Sequence, residues 1–417
     1  MRAFYLIWSG QLLSLVGSGA ASIALSLEVF DRTGSATALG AIVAAKFAGS
    51  VYLAPVAGAI SDRFRRGSCI IVADLLLAVC SGALALLTFA DAPIWVFVAM
   101  MFISGSLDSL LTNTLAASTR SLRAEADLTR VSGLISIVDT APLLIAPGLG
   151  ALLYTIVGAG LVFTADGATF LLSALGVVIC GWRGNAPSRQ DKPSPLDGFR
   201  YVRSRPELLG VQARNSVFNL VNGLAVTAST TFILSATSNG TAALATYQTA
   251  TAVGGVAGGL VVVAIANRVP RHRIIAATPI ITGLFGRLLL ALTTLPVIWA
   301  ASGFLRSAAM QVNNAPLRAV WQESVPPAIQ ASVFGASRVM GQGLYPLAVL
   351  GGGLLADLAA GEGPAPSVGG LPLLLAIAGL AEAAIGVSYA MSKGVKKATV
   401  SPPRRTEDIP ASTEAAR

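Results

Sequence analysis

The chain has 417 residues, of which 54% are hydrophobic and 12% charged, and a mean hydropathy of +0.71. A soluble domain of this size carries roughly 25% charged residues, so the composition excludes a disordered protein and argues against a soluble enzyme of one or two domains. The formal net charge is +9, but the basic residues occupy short breaks between apolar runs rather than a polar domain, which speaks against nucleic acid as a partner.

A hydrocarbon core ~30 Å thick needs about 20 helical residues per crossing at ~1.5 Å each. Apolar runs of that length predict helices over about 4–30, 37–61, 68–90, 94–117, 131–157 and 159–182. A polar stretch, 183–206, follows with Pro187, Pro193, Pro195 and six basic residues. Further helices are predicted over about 207–236, 242–266, 274–295, 297–320, 331–358 and 371–392. The first run is longer than a signal-peptide core and more runs follow it, so it is expected to be a retained helix. The predicted fold class is an all-α membrane protein of twelve transmembrane helices in two six-helix halves. Its parts are an N-terminal half (1–182), a cytoplasmic linker (183–206), a C-terminal half (207–392) and a disordered cytoplasmic tail (393–417).

The basic residues sort to one side. Arg2, Arg63, Arg65, Arg66, Arg120, Arg123, Arg130, the linker bases, Arg268, Arg271, Arg273, Arg318 and the bases of the tail fall in alternate breaks. Arg32 stands alone on the other side. Anionic headgroups and the membrane potential hold cationic loops in the cytoplasm, so both termini are expected there. An even number of spans requires the same.

Several chemistries find no residues. Cys69 and Cys80 lie roughly 16 Å apart on one predicted helix, too far for a disulfide. His272 is the only histidine, which leaves no histidine-based metal site or base. No glycine-rich stretch ends in Gly-Lys-Ser/Thr, so no cofactor or nucleotide cradle is expected.

Two stretches carry a family resemblance. Gly58, Asp62, Arg63 and Arg66 match the pattern G-x-x-x-D-R-x-x-R-R/K, and Asn267-Arg268-Val269-Pro270-Arg271 repeats part of it half a chain later. This resembles motif A of the major facilitator superfamily, whose two six-helix halves share a parallel topology. The resemblance implies a cytoplasmic gate: Gly58 lets a helix end approach its neighbour, Asp62 faces a helix N-terminus, and the arginines reach phosphates or carboxylates. Gly133, Pro147 and Gly150 partly match motif C, which marks the family's drug–proton antiporters. Pro142, Ala146 and Ala151 replace glycines of that pattern. Motif B is absent, with Asp108 on the helix where it would stand. Further fragments resemble the branch that holds macrolide-efflux proteins and enterobactin exporters. They are Trp8-Ser9-Gly10-Gln11, Asp166-Gly167-Ala168-Thr169-Phe170-Leu171, Asp197-Gly198-Phe199-Arg200-Tyr201, and Gln322-Glu323-Ser324-Val325-Pro326. That branch implies a bacterial cytoplasmic membrane.

Ionisable residues inside a span cost several kcal/mol unless paired or hydrated, so each is a candidate. The N-terminal half has Glu28, Lys46, Asp74, Asp108, Asp139 and Asp166; the C-terminal half has Arg214, Arg287, Arg306, Arg338, Asp357 and Glu382. One half is acidic and the other basic. The family map assigns Glu28, Asp108, Arg214 and Arg306 to a central cavity, and Lys46, Asp139 and Arg338 to the seam between halves. Asp139 and Asp108 are the candidates for a proton site, with Lys46 or Arg306 as the competing cation. Arg287 and Glu382 are placed to pair near mid-depth, while Glu28 and Asp357 are expected to be solvated at the outer interface. Gly254, Gly255, Gly258 and Gly259, with Gly341, Gly343 and Gly351 to Gly353, are expected to smooth the seam. Trp8, Trp95 and Trp299 are expected in an interfacial aromatic belt.

The function expected is secondary-active export of a small amphiphilic molecule (a drug, siderophore or secondary metabolite) by proton antiport and alternating access. The expected partners are that cargo, protons and membrane lipids, with the chain acting as a monomer and not as an enzyme. Proton-coupled import of a small metabolite is the alternative, and a membrane-embedded lipid-modifying enzyme a weaker one.

Overall fold

The computed structural model describes residues 2–123, 128–181, 195–237, 240–265, 268–325, 330–360, 369–394 and 396. Among these residues there is helix and no strand. The N-terminal elements are α1 (Arg2–Thr33), α2 (Ala36–Tyr52), α3 (Ala54–Arg63), α4 (Arg66–Phe89), α5 (Ile94–Arg123) and α6 (Leu128–Ile179). A short helix, α7 (Pro195–Arg203), leads to α8 (Pro206–Ser235), α9 (Gly240–Ile265), α10 (Arg271–Ile281), a π-helical turn (Thr282–Leu288), α11 (Leu289–Ala291) and α12 (Pro296–Ser324). The chain continues with α13 (Gln330–Gln342), α14 (Tyr345–Ala360) and α15 (Leu371–Met391).

Eight helical stretches among the described residues are long and apolar enough to cross a bilayer. Large apolar side chains cover the outside of the bundle, including Val79, Leu86, Ile156, Leu260, Leu358 and Leu373. Water would penalise such a surface, whereas lipid tails would not. Helix α12 falls short on hydropathy because one of its faces is polar, with Arg306, Asn313 and Asn314.

Every predicted run is helical, yet several are broken in ways that the apolar pattern did not announce. The run over 37–61 divides at Leu53 (φ −91°, ψ 0°), before Pro55 at the start of α3. A proline near a helix start gives up no intrahelical bond, so the chain re-enters helix there at a new angle. The runs over 131–157 and 159–182 join in α6, where Gly158 reverses the chain at φ 76°, ψ 166°. Only glycine adopts that conformation cheaply. The stretch over 274–295 contains Pro279, whose missing N–H precedes the π turn. The eleventh run parts at Gly343 into α13 and α14.

The polar stretch 183–206 is not all irregular. Its α7 buries Val202 beside Leu208, Val211, Trp321 and Val333, and the Tyr201 hydroxyl donates to the Ser324 carbonyl at 2.5 Å. Burial pushes the Tyr201 phenol up, which keeps it a donor.

The arrangement of cores distinguishes the two ends of the bundle. At the end bearing Arg63–Arg66 and Arg268–Arg273, called here the basic end, each half has its own cluster. Ile7, Ala57, Ile70 and Leu77 form one, and Val211, Phe218, Val320 and Trp321 belong to the other. Toward the opposite end the N-terminal half has a further cluster of its own around Leu25, Val29, Ile42 and Phe97, and another cluster joins both halves, with Leu27, Ala36 and Ala151 packed among Ala228, Phe232, Ala243 and Ala356. Trp299 is fully buried in it, edge-on to Phe232 at 5.4 Å. Trp8 is also buried and only Trp95, 70% exposed, fits the aromatic belt.

Candidate functional site

Across the halves, α14 lies along α2. Backbones touch there because Gly40 faces the Val349 carbonyl and Gly353 faces Ala36 and Thr37, where a Cβ would collide. Asp357 at the end of α14 closes this seam. Its carboxylate accepts the amides of Ala36 (2.6 Å) and Thr37 (2.8 Å) and the Ser35 hydroxyl (2.8 Å). Thus Asp357 is a helix cap supplied by the other half, not the solvated charge expected from sequence; the open amides of α2's first turn are the physical reason. Glu28 is likewise paired, with Arg32 at 2.5 Å.

Nearer the basic end the seam thins. The Phe47 and Tyr345 rings meet at 4.8 Å, and Tyr52 donates to the Gly343 carbonyl at 2.6 Å. Beyond that point, among the described residues no atom of another element lies within 4 Å of where a Gly58 Cβ would stand, so its close approach is not made in this state. Arg63 is exposed, its guanidinium 5.9 Å above the Phe64 ring, and Arg66 is half-buried. The Asp62 side chain lies outside the described residues. So do the surroundings of Asp139, Gly133 and Pro147. Gly150 packs against the Ala20 backbone.

The glycines of α9 serve a different contact from the one expected. A Cβ on Gly254 would meet the Phe304 backbone, and one on Gly258 that of Ala308. They seat α9 on α12 within one half. Gly352 of α14 similarly faces Leu224 of α8, leaving Gly353 for the true seam. Spacing alone cannot tell a helix's partner, since every close helix contact in lipid favours small residues.

In the N-terminal half, Lys46 Nζ lies 3.4 Å from Asp108 Oδ2, with the side chains 28% and 30% exposed, and 3.3 Å from Ser22 Oγ. This is one of the acid–cation pairs that the sequence left open. Two deeper carboxylates are held by neutral donors. Asp166 accepts Ser18 (2.9 Å) and Ser81 (2.7 Å), and Asp74 accepts Ser173 (2.8 Å) and Gln11 (3.3 Å). These bonds stitch α1, α4 and α6 together.

In the C-terminal half, the Arg287 guanidinium meets Glu382 at 2.5 Å, as the sequence suggested. It also bonds Ser229 Oγ at 3.1 Å and Asn222 Oδ1 at 2.6 Å. Arg306 reaches the same Asn222 oxygen at 2.6 Å and lies 3.7 Å from the same Glu382 oxygen. Sequence reasoning missed Asn222, and the π turn that carries Arg287 was the unread signal. Gly283 and Gly379 bring the two backbones together there, and Gly286 makes room for the Arg306 stem.

A cavity of about 570 Å³ lies on the basic side of this cluster, with Asn215, Asn219, Asn313, Asn314, Gln342 and Arg338 among its walls. Arg214 does not enter it freely, being bonded to the Gly210 carbonyl (2.9 Å) and Ser388 (3.1 Å). Among the described residues no group of acidic, histidine or cysteine side chains is placed to hold a metal ion.

A polytopic helical bundle with charge pairs at mid-depth and a polar cavity toward one end defines a membrane transporter. The chain belongs to the Major Facilitator Superfamily, whose sequence profile matches residues 7–349. It is 27% identical over 213 residues to macrolide efflux protein A of Streptococcus pyogenes, the match covering 51% of each chain. With macrolide efflux protein A of Enterococcus faecalis the identity is 25% over 162 residues, 39% of this chain and 49% of that one. The chain thus matches about half the length of these curated relatives. Among solved structures, the nucleoside transporter NupG superposes with a TM-score of 0.72 at 14% identity, over 94% of this chain and 98% of that one. A bacterial homologue of the iron transporter ferroportin, in an inward-facing state, gives 0.68 at 13%, over 94% and 99%. At these identities the likeness is one of fold.

Proposed function

We propose that the protein exports a small amphiphilic organic molecule (a drug, siderophore or secondary metabolite) across the bacterial cytoplasmic membrane, by proton antiport and alternating access. In this reading the halves 1–182 and 207–392 contribute six spans each, 183–206 links them in the cytoplasm, and both termini are cytoplasmic. The chain works as a monomer without a cofactor.

One observation carries the reading. The halves share a core at one end and keep separate cores at the other, as expected of a transporter sealed outside and open inside. Cargo enters the cavity from the basic end. Closing that end brings Gly58, Asp62, Arg63 and Arg66 against the facing half, while the Asp357 seal releases. Gly133, Pro147 and Gly150 bend and pack α6 beside this movement.

Proton coupling is assigned to Asp139 or Asp108, the second of which is paired with Lys46. Protonation of Asp108 removes its charge and frees Lys46. Return of the proton to the cytoplasm restores the pair and resets the transporter. The efflux names of the sequence relatives support outward transport.

The test uses everted membrane vesicles energised to an acidic interior. A labelled macrolide, and in parallel a catecholate siderophore, is expected to accumulate inside, and a proton ionophore to abolish the accumulation. Asp108→Asn is expected to lower it at least tenfold. Accumulation driven only by an inward gradient of the label itself would refute antiport, and uptake in right-side-out vesicles would replace export by import.

A further inference from the structure

We infer that the Arg287–Arg306–Glu382–Asn222 cluster is the anion-binding end of the cargo site, and that the cargo carries a carboxylate or similar oxyanion that Arg306 receives. The inference deepens the transporter reading and rests on it.

The charge sum comes first. Two guanidiniums face one carboxylate, and both approach its same oxygen, Arg287 at 2.5 Å and Arg306 at 3.7 Å. Asn222 offers an amide oxygen to both but no charge. A buried cation left in excess is costly unless an anion joins it. Arg287 is saturated by Glu382, Ser229 and Asn222. Arg306 is the less satisfied of the two, because its Nε is buried without a hydrogen-bond partner among the described residues. Its side chain is 14% exposed against 4% for Arg287.

Position comes second. On α12, Met310 lines the cavity and Arg306 stands one turn farther from the basic end, ~6 Å along the axis. Asn222 lies one turn beyond Asn219 on α8, while Arg287 and Glu382 lie about two turns beyond Pro279 on the α10–π segment and Tyr389 on α15. Four elements running in alternate directions therefore converge on one polar cluster beyond the cavity's lining, which reaches Asn219, Pro279, Met310 and Tyr389 on the same four elements. The walls below supply amide groups from Asn215, Asn219, Asn313 and Gln342 beside Phe218, Met310 and Trp321. A few oriented polar groups within an apolar lining suit an amphiphile entering anion first. By contrast the Lys46–Asp108 pair within the N-terminal half is neutral in sum.

The test needs no knowledge of the natural cargo. Purified full-length protein in phosphatidylcholine nanodiscs is titrated with naphthalene-2-carboxylate, its methyl ester and 2-naphthylmethylamine up to 10 mM, reading tryptophan fluorescence and thermal stability. The carboxylate is expected to bind about tenfold more tightly than the ester, the contribution of one charge-assisted bond. Arg306→Gln is expected to erase that preference and Arg306→Lys to keep most of it. Equal binding of acid and ester, preference for the amine, or no response to any probe would each overturn the inference. A preference that survives in Arg306→Gln would do the same. Nanodiscs containing phosphatidylglycerol separate a lipid headgroup from a cargo: unchanged carboxylate affinity supports the cargo, and competition by the anionic lipid overturns it. Proton-driven accumulation in vesicles is read separately. Its failure with carboxylate binding intact removes the antiport reading alone, and the converse result removes only this inference.

Discussion

Asp357 Oδ1 accepts the Ala36 amide at 2.6 Å, so a carboxylate of one half caps the first turn of a helix in the other. This bond stands at the end where the halves share a core. Asp357→Ala leaves the Ala36 and Thr37 amides to other partners and should cost this state about 1–2 kcal/mol, roughly a tenfold shift toward closure of the basic end. Spin labels at positions 64 and 334, in a background lacking Cys69, Cys80 and Cys180, would report it as a larger short-distance population. An unchanged distance distribution would mean that the cap does not hold the seam.

Two glycines should respond oppositely to the same change. Gly353→Val drives side-chain atoms into the backbone of Ala36 and Thr37 and should prevent sealing of the end opposite the basic one. Gly58→Val meets open space in this state, so stability should be preserved while closure of the basic end is blocked. Both variants are expected to lose transport. Alkylation of single cysteines at the two ends should show each trapped open at a different one.

Removing one partner of the buried pair should be severe. Arg287→Ala leaves Glu382, which is fully buried, with Arg306 alone, and should destabilise the fold by about 3–5 kcal/mol. The triple variant Arg287→Met, Arg306→Met and Glu382→Leu should recover much of that loss, because it removes all three charges together with their desolvation cost. Monodispersity in size-exclusion chromatography after heating would rank the three proteins. Recovery no better than the single variant would show that the cluster holds the fold in some other way.

The seat of α7 offers a local test. Val202 is completely buried against the C-terminal half, so Val202→Asp should detach α7 without unfolding the bundle. Trypsin would then cut after Arg200 or Arg203 much faster than in the unaltered protein, while the thermal transition stays in place. Equal cleavage rates would remove the clamp from this account.

How much of this was legible depends on the kind of signal. Length and hydropathy located the helices, and the placement of Arg63, Arg65, Arg66, Arg268, Arg271 and Arg273 predicted which end would be basic. Charge matching anticipated one pair, Arg287 with Glu382, because an ionisable group in lipid must find a partner and few were available. It left Asp108 or Asp139 open to Lys46 or Arg306, of which the structure pairs Asp108 with Lys46. The same reasoning failed for Asp357, whose partners are backbone amides that no residue type advertises. It named no partner for Asp74 and Asp166, whose donors Gln11, Ser18, Ser81 and Ser173 are neutral and invisible to charge matching.

Helix rotation is the deeper reason. In water an apolar stripe marks the buried face of a helix, but here lipid makes the outer face as apolar as the core. The pattern therefore left open that Gly254 and Gly258 meet α12, that Gly353 meets α2, and that Trp299 is buried rather than interfacial. By itself the sequence determined where apolar segments lie, the charges that needed partners, and membership of a transporter family. Only the tertiary structure decided which faces meet, which end is sealed, and that two arginines share one glutamate, because those depend on how helices turn toward one another in a solvent that rewards neither face.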